Sequence, residues 1–140
     1  MAAKVEPTPG GPAPDLVGDV LVAPEGGFAD WAAAHLEVLL RELAHRRGGP
    51  VSVGLAGGRT PKPVYEALSQ LPVPWERLEI FFGDERAVAP EDSESNYRMV
   101  RESLLDRVPI PAQRVHRMKA ETVPLVAAAR EYAAVLPDAI

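Results

Sequence analysis

Residues 51–62, Val-Ser-Val-Gly-Leu-Ala-Gly-Gly-Arg-Thr-Pro-Lys, constrain the fold more than any other stretch of this chain. Val51 to Leu55 is an apolar run of strand length, and it empties into a turn of small residues. Gly57 and Gly58 carry no Cβ, so the backbone there can come close to a ligand. Thr60 suits a helix N-cap, and Pro61 suits the first helical position, where a missing N–H costs nothing. A strand, a glycine turn and a helix N-terminus in that order make a βα unit. Its unpaired N–H groups and positive dipole end favour an anion such as a phosphate. The competing reading is an ordinary tight connection that binds nothing. The glycine spacing matches neither the Walker A loop nor the dinucleotide fingerprint, so nucleotide-binding classes are disfavoured.

The pattern returns at Leu78-Glu79-Ile80-Phe81-Phe82-Gly83-Asp84-Glu85-Arg86. Its apolar run suits a buried parallel strand. Gly83 ends the run and three charged residues follow at once. Open α/β sheets bind ligands outside the carboxyl ends of their strands, so both clusters are expected on one edge. A loop that merely solvates three charges is the alternative.

Strand-like and helix-like segments alternate along the rest of the chain. Residues 19–23 read as a first strand. Glu25 to Arg47 reads as a helix with Phe28, Trp31, Ala32, Leu36, Leu39, Leu40 and Leu43 inward, ended by Gly48-Gly49. A second helix is expected over 61–69, and Trp75 is expected in the core. A loop over 87–94 leads to Ser95, a cap for a helix from Asn96 to about Arg107. A short strand over 115–118 and an Ala-rich helix over 123–136 complete the pattern, and residues 138–140 read as the approach to another strand. Such alternation implies an α/β fold with a parallel sheet and helices on both faces.

Composition narrows the function class. The 140 residues suffice for one core. Residues 1–14, rich in Pro and Gly, read as a disordered lead-in without the pattern of a signal peptide, and 15–140 as one domain. No apolar stretch reaches membrane-spanning length, so no membrane partner is expected. A net charge of −5 argues against nucleic acid as a partner. The absence of cysteine suits a reducing cytoplasm. No His or Cys spacing fits a metal site, and no cofactor is implied.

The blocks Ala56-Gly57-Gly58-Arg59-Thr60-Pro61, Phe82-Gly83-Asp84-Glu85-Arg86-Ala87-Val88, Ser95-Asn96-Tyr97 and His116-Arg117-Met118 with Glu121 resemble 6-phosphogluconolactonase. That family shares a superfamily with glucosamine-6-phosphate deaminase/isomerase. The resemblance runs from about Leu16 to the C-terminus. It implies a three-layer, mostly parallel, Rossmann-like α/β fold of the deaminase/lactonase type. Two departures stand out: Arg59 replaces the serine usual in the family, and the family's later Gly-x-Asp-Gly-His segment does not occur here. That segment carries the histidine proposed as the general base, whereas His35, His45 and His116 lie in other contexts. The domain is therefore expected to be truncated, with an exposed sheet edge open to self-association.

What the resemblance implies is cytoplasmic, metal-free hydrolysis of a phosphosugar lactone, 6-phospho-D-glucono-1,5-lactone, to 6-phosphogluconate in the oxidative pentose-phosphate route. Gly57, Gly58 and Thr60, with Arg59, would hold the phosphate. Arg86 would stabilise the oxyanion, and Asp84 would orient Arg86 or the attacking water. Glu85 is expected to partner a nearby cation, Asn96 and Tyr97 to brace the loop or line the site, and His116 to be structural. The alternatives are a deaminase/isomerase-type ring-opening enzyme and a non-catalytic phosphosugar-binding half-domain. Arg86 favours the lactonase branch, because the deaminase type usually has an aromatic residue there.

Overall fold

The computed structural model describes residues 21–137; the lead-in 1–14, residues 19 and 20 of the expected first strand, and 138–140 lie outside them. Within the described part, Val22 makes only an isolated bridge. Four helices and three strands follow: α1 (Phe28–Arg46), β1 (Val51–Leu55), α2 (Pro61–Leu68), β2 (Leu78–Phe82), α3 (Asn96–Ser103), β3 (Val115–His116) and α4 (Leu125–Ala133). The sheet is wholly parallel, in the order β1-β2-β3. Val51 pairs with Leu78 and Leu55 with Phe82, while Phe81 lies opposite His116.

Side-chain alternation divides the sheet. Val51, Leu55, Leu78, Ile80 and Phe82 point into a core shared with Ala33, Leu40 and Ala44 of α1, Val64, Tyr65 and Leu68 of α2, and Val100 of α3. Glu79, Phe81 and His116 occupy the other face, as the two-residue period of a strand requires. There the His116 ring stacks on Phe81 with centroids 4.7 Å apart, and its Nε2 lies 3.1 Å from Glu79 Oε1. Trp75 is buried beneath the start of β2. Arg77 donates to the carbonyls of Arg47 and Gly49, placing a cation at the negative end of α1.

Several element expectations change. The stripe of α1 that docks is Ala33, Glu37, Leu40 and Ala44, while Phe28 and Leu39 are exposed. Of the residues expected inward, Leu40 is buried and Ala32, Leu36 and Leu43 are partly buried against the same core. The helix expected to reach Arg107 stops at Ser103, where Leu104 leaves helical geometry to bury its side chain, and a 3-10 turn follows. β3 has two residues instead of four. α4 buries Ala128 and Tyr132 but leaves Leu125 and Val126 exposed.

Candidate active site

β1 and β2 end as partners, Leu55 beside Phe82, and Gly83 N–H donates to the Leu55 carbonyl at 2.9 Å, adding a rung beyond the strands. The chain segments carrying Gly57–Thr60 and Asp84–Arg86 therefore leave the sheet side by side.

Two contacts shape the turn after β1. The Tyr65 hydroxyl, from the inward face of α2, accepts from Ala56 N–H at 3.0 Å and donates to Ala56 C=O at 2.8 Å. Burial pushes that phenol above its ordinary pKa, so it stays neutral and able to do both. Gly58 has φ +105°, a conformation that side chains disfavour. Gly57 packs against the side-chain amide of Asn96 so closely that a Cβ would fall inside that group.

The expected capping role of Thr60 does not hold. Thr60 is already in helical geometry and its hydroxyl makes no capping bond. Pro61 and Pro63 have no N–H, so the first turn of α2 is short of donors. The turn amides of residues 57–60 donate no hydrogen bond among the described residues. Gly58, Arg59, Thr60 and Lys62 are all exposed.

On the β2 side, Glu85 is tied down on both carboxylate oxygens. Oε1 accepts from the amides of Arg86 at 2.8 Å and Asn96 at 2.7 Å. Oε2 accepts from Tyr97 N–H at 2.8 Å and from the Ser95 hydroxyl at 3.0 Å. The expected cation partner is thus replaced by the N-terminus of α3. A helix start offers several unpaired donors and a positive dipole end to one carboxylate. Ser95 does cap α3, accepting from Arg98 N–H at 3.1 Å. Asp84 and Arg86, on either side of Glu85, are exposed and take part in no salt bridge among the described residues.

Asn96 joins the two loops. Its Nδ2 donates to the Asp84 carbonyl at 3.2 Å, and the same amide fills the space beside Gly57. Tyr97 sets its ring edge-on to Phe82, centroids 5.8 Å apart, with the Arg117 guanidinium 5.7 Å from its own centroid. Arg117 is held by Glu121 through bonds of 3.0 and 2.7 Å, and that guanidinium lowers the Glu121 carboxyl to about 2.

Sequence reasoning missed two tyrosines. Tyr65 fixes the exit of β1, and Tyr132 of α4 does the same for β2, accepting from Phe82 N–H at 2.7 Å and lying 3.2 Å from the carbonyls of Phe82 and His116. An inward tyrosine in a helical pattern signals core packing; nothing local says which strand end its hydroxyl will reach. An apolar groove of about 340 Å³ adjoins the β2 loop at Glu85 and Ala87, walled by Met118, Leu125, Tyr132 and Leu136. No group of three His, Asp or Glu side chains among the described residues could hold a metal ion.

The sequence pattern described as glucosamine-6-phosphate isomerases/6-phosphogluconolactonase matches residues 23–140. The chain belongs to that family. It is 41% identical over 101 residues to a 6-phosphogluconolactonase from a Nostoc species, covering 70% of this chain and 42% of that protein. A 6-phosphogluconolactonase from Haemophilus influenzae is 36% identical over 110 residues, 74% of this chain and 46% of its own length. The crystal structure of 6-phosphogluconolactonase from Thermotoga maritima superposes with a TM-score of 0.73 at 35% identity, over 78% of this chain and 49% of that one. A Shewanella baltica 6-phosphogluconolactonase gives 0.69 at 28%, over 81% and 48%. The chain thus spans about half or less of the length of these family members.

Proposed function

We propose that this chain carries the phosphosugar-binding part of a 6-phosphogluconolactonase, acting in the hydrolysis of 6-phospho-D-glucono-1,5-lactone to 6-phosphogluconate. The observation that carries this reading is the Asn96 bridge, which makes one rim of the diglycine turn and the Asp84-Glu85-Arg86 loop. Family membership and the names of the relatives support the same substrate class.

In this reading the amides of Gly57, Gly58, Arg59 and Thr60 take the phosphate, with the Thr60 hydroxyl and the Arg59 guanidinium beside them. Arg86 faces the lactone carbonyl. Water adds to that carbon, the carbonyl oxygen gains negative charge, and the guanidinium stabilises it. The bond from the carbonyl carbon to the ring oxygen then breaks, and the ring oxygen leaves as a hydroxyl with a proton from the water. Asp84 orients the water or Arg86. His116, bonded to Glu79 and stacked on Phe81, is not assigned a proton-transfer role. Cytoplasmic action and self-association through an outer strand, β1 or β3, belong to the same proposal; no described helix is long and apolar enough to cross a membrane.

The test is binding of 6-phosphogluconate to this chain, followed by amide chemical shifts, alongside lactone hydrolysis. Wild type is expected to bind with shifts at residues 57–60, and Arg86→Ala and Asp84→Asn to weaken binding or turnover at least about tenfold, which is about 1.4 kcal/mol. Shifts confined to other parts of the molecule, or both variants equal to wild type, would remove the assignment.

A further inference from the structure

We propose that Glu85 is the positioning residue of this rim: its carboxylate fills the anion-accepting first turn of α3, which holds the Asp84–Arg86 loop in place and leaves the diglycine turn as the rim's open anion acceptor. The ligand class in this proposal rests on the function proposed above; the role of Glu85 does not.

A helix N-terminus on a ligand-binding edge would ordinarily compete for the substrate's phosphate. In α3 that place is taken from inside the protein. Glu85 accepts from the amides of Asn96 and Tyr97, and Ser95 accepts from the amide of Arg98, so the first three helical residues have their donors engaged. The Ser95 hydroxyl closes the set by donating to Glu85 Oε2 at 3.0 Å. An ionised carboxylate has about four acceptor sites, and with Arg86 N–H the count at Glu85 is full. A side chain so committed has no lone pair left for a substrate proton. It does set the backbone of both its neighbours: Arg86 through that N–H, and Asp84 through the Asn96 amide on its carbonyl. Asn96 itself is fixed by Glu85 through its own N–H, so the link to Gly57 depends on the same carboxylate.

Nitrogen–proton spectra of wild type, Glu85→Gln and Glu85→Ala, titrated with inorganic phosphate and with 6-phosphogluconate, test this. In wild type, phosphate is expected to move amides at 57–60 and to leave Asn96 and Tyr97 in place. In Glu85→Ala it is expected to move Asn96 and Tyr97 as well, because the helix start is then vacant. Affinity of that variant for 6-phosphogluconate should fall at least about tenfold, with added formate restoring part of it by occupying the vacated place. Glu85→Gln, nearly the same shape, keeps the fold and should raise exchange of the Tyr97 amide at least about tenfold. Unchanged exchange at Asn96 and Tyr97 in Glu85→Gln, or no new phosphate response at these amides in Glu85→Ala, overturns the proposal. A wild type that binds neither anion defeats the proposed function while the exchange result still decides the role of Glu85.

Discussion

Gly57 and Gly54 are both glycines near the end of β1, yet a methyl group would meet different surroundings at each. At Gly57 it would fall inside the Asn96 amide, whereas at Gly54 it would meet no atom within 4 Å. Gly57→Ala is therefore expected to cost about 1–3 kcal/mol, as overpacking does in rigid surroundings. Gly54→Ala should lie within about 0.5 kcal/mol of wild type. Urea unfolding of the pair measures the difference; equal midpoints would mean that Asn96 yields freely and does not join the loops. From the sequence, diglycine could be read as a place for close backbone approach. That the approaching group is a side chain from 39 positions away could not, because Asn96 reaches Gly57 only once β1 and β2 lie in register.

Among the elements, α3 and the segment after β3 show how far charge patterns carry. Ser95 was legible as a cap because a small hydroxyl residue immediately precedes the helix. Glu85 was not legible as a cap, since it sits ten residues upstream of Ser95 and becomes its neighbour only through the loop. After β3, Arg117 and Glu121 form a bidentate pair that lowers the Glu121 carboxyl to about 2. A carboxyl depressed in the folded state stabilises it fully above its unfolded value near 4.5, and that contribution disappears as pH falls through about 2. Carbon NMR titration of Glu121 should therefore show an inflection near 2, returning to the usual carboxylate range in Arg117→Ala. An unshifted Glu121 in wild type would dissolve the pair. Because the pair is partly exposed, high salt should weaken it.

For the whole molecule, the decisive asymmetry is between the two faces of the sheet. Ile80, 1% exposed on the central strand, packs toward the core shared by α1, α2 and α3. Truncation to alanine is expected to lower stability by about 2–5 kcal/mol by equilibrium denaturation. A loss below about 1 kcal/mol would mean that the core collapses around the gap. His116, on the other face and partly exposed, should be far more tolerant of replacement.

What the chain alone determined was local and periodic: strands of five residues at 51–55 and 78–82, a helix start at Pro61, a cap at Ser95, and polar clusters at two strand ends. These follow from backbone sterics and hydrophobic spacing, which act over a few residues. The tertiary structure alone decided that Asn96 binds the two loops together, that Glu85 serves a helix instead of a cation, and that tyrosine hydroxyls from α2 and α4 fix the strand ends. It also decided that Ala33, Glu37 and Ala44 of α1 are buried while Phe28 and Leu39 are exposed. The Asn96 link depends on parallel pairing, which sets the ends of β1 and β2 side by side, and the others depend on how loops and helices pack against that sheet.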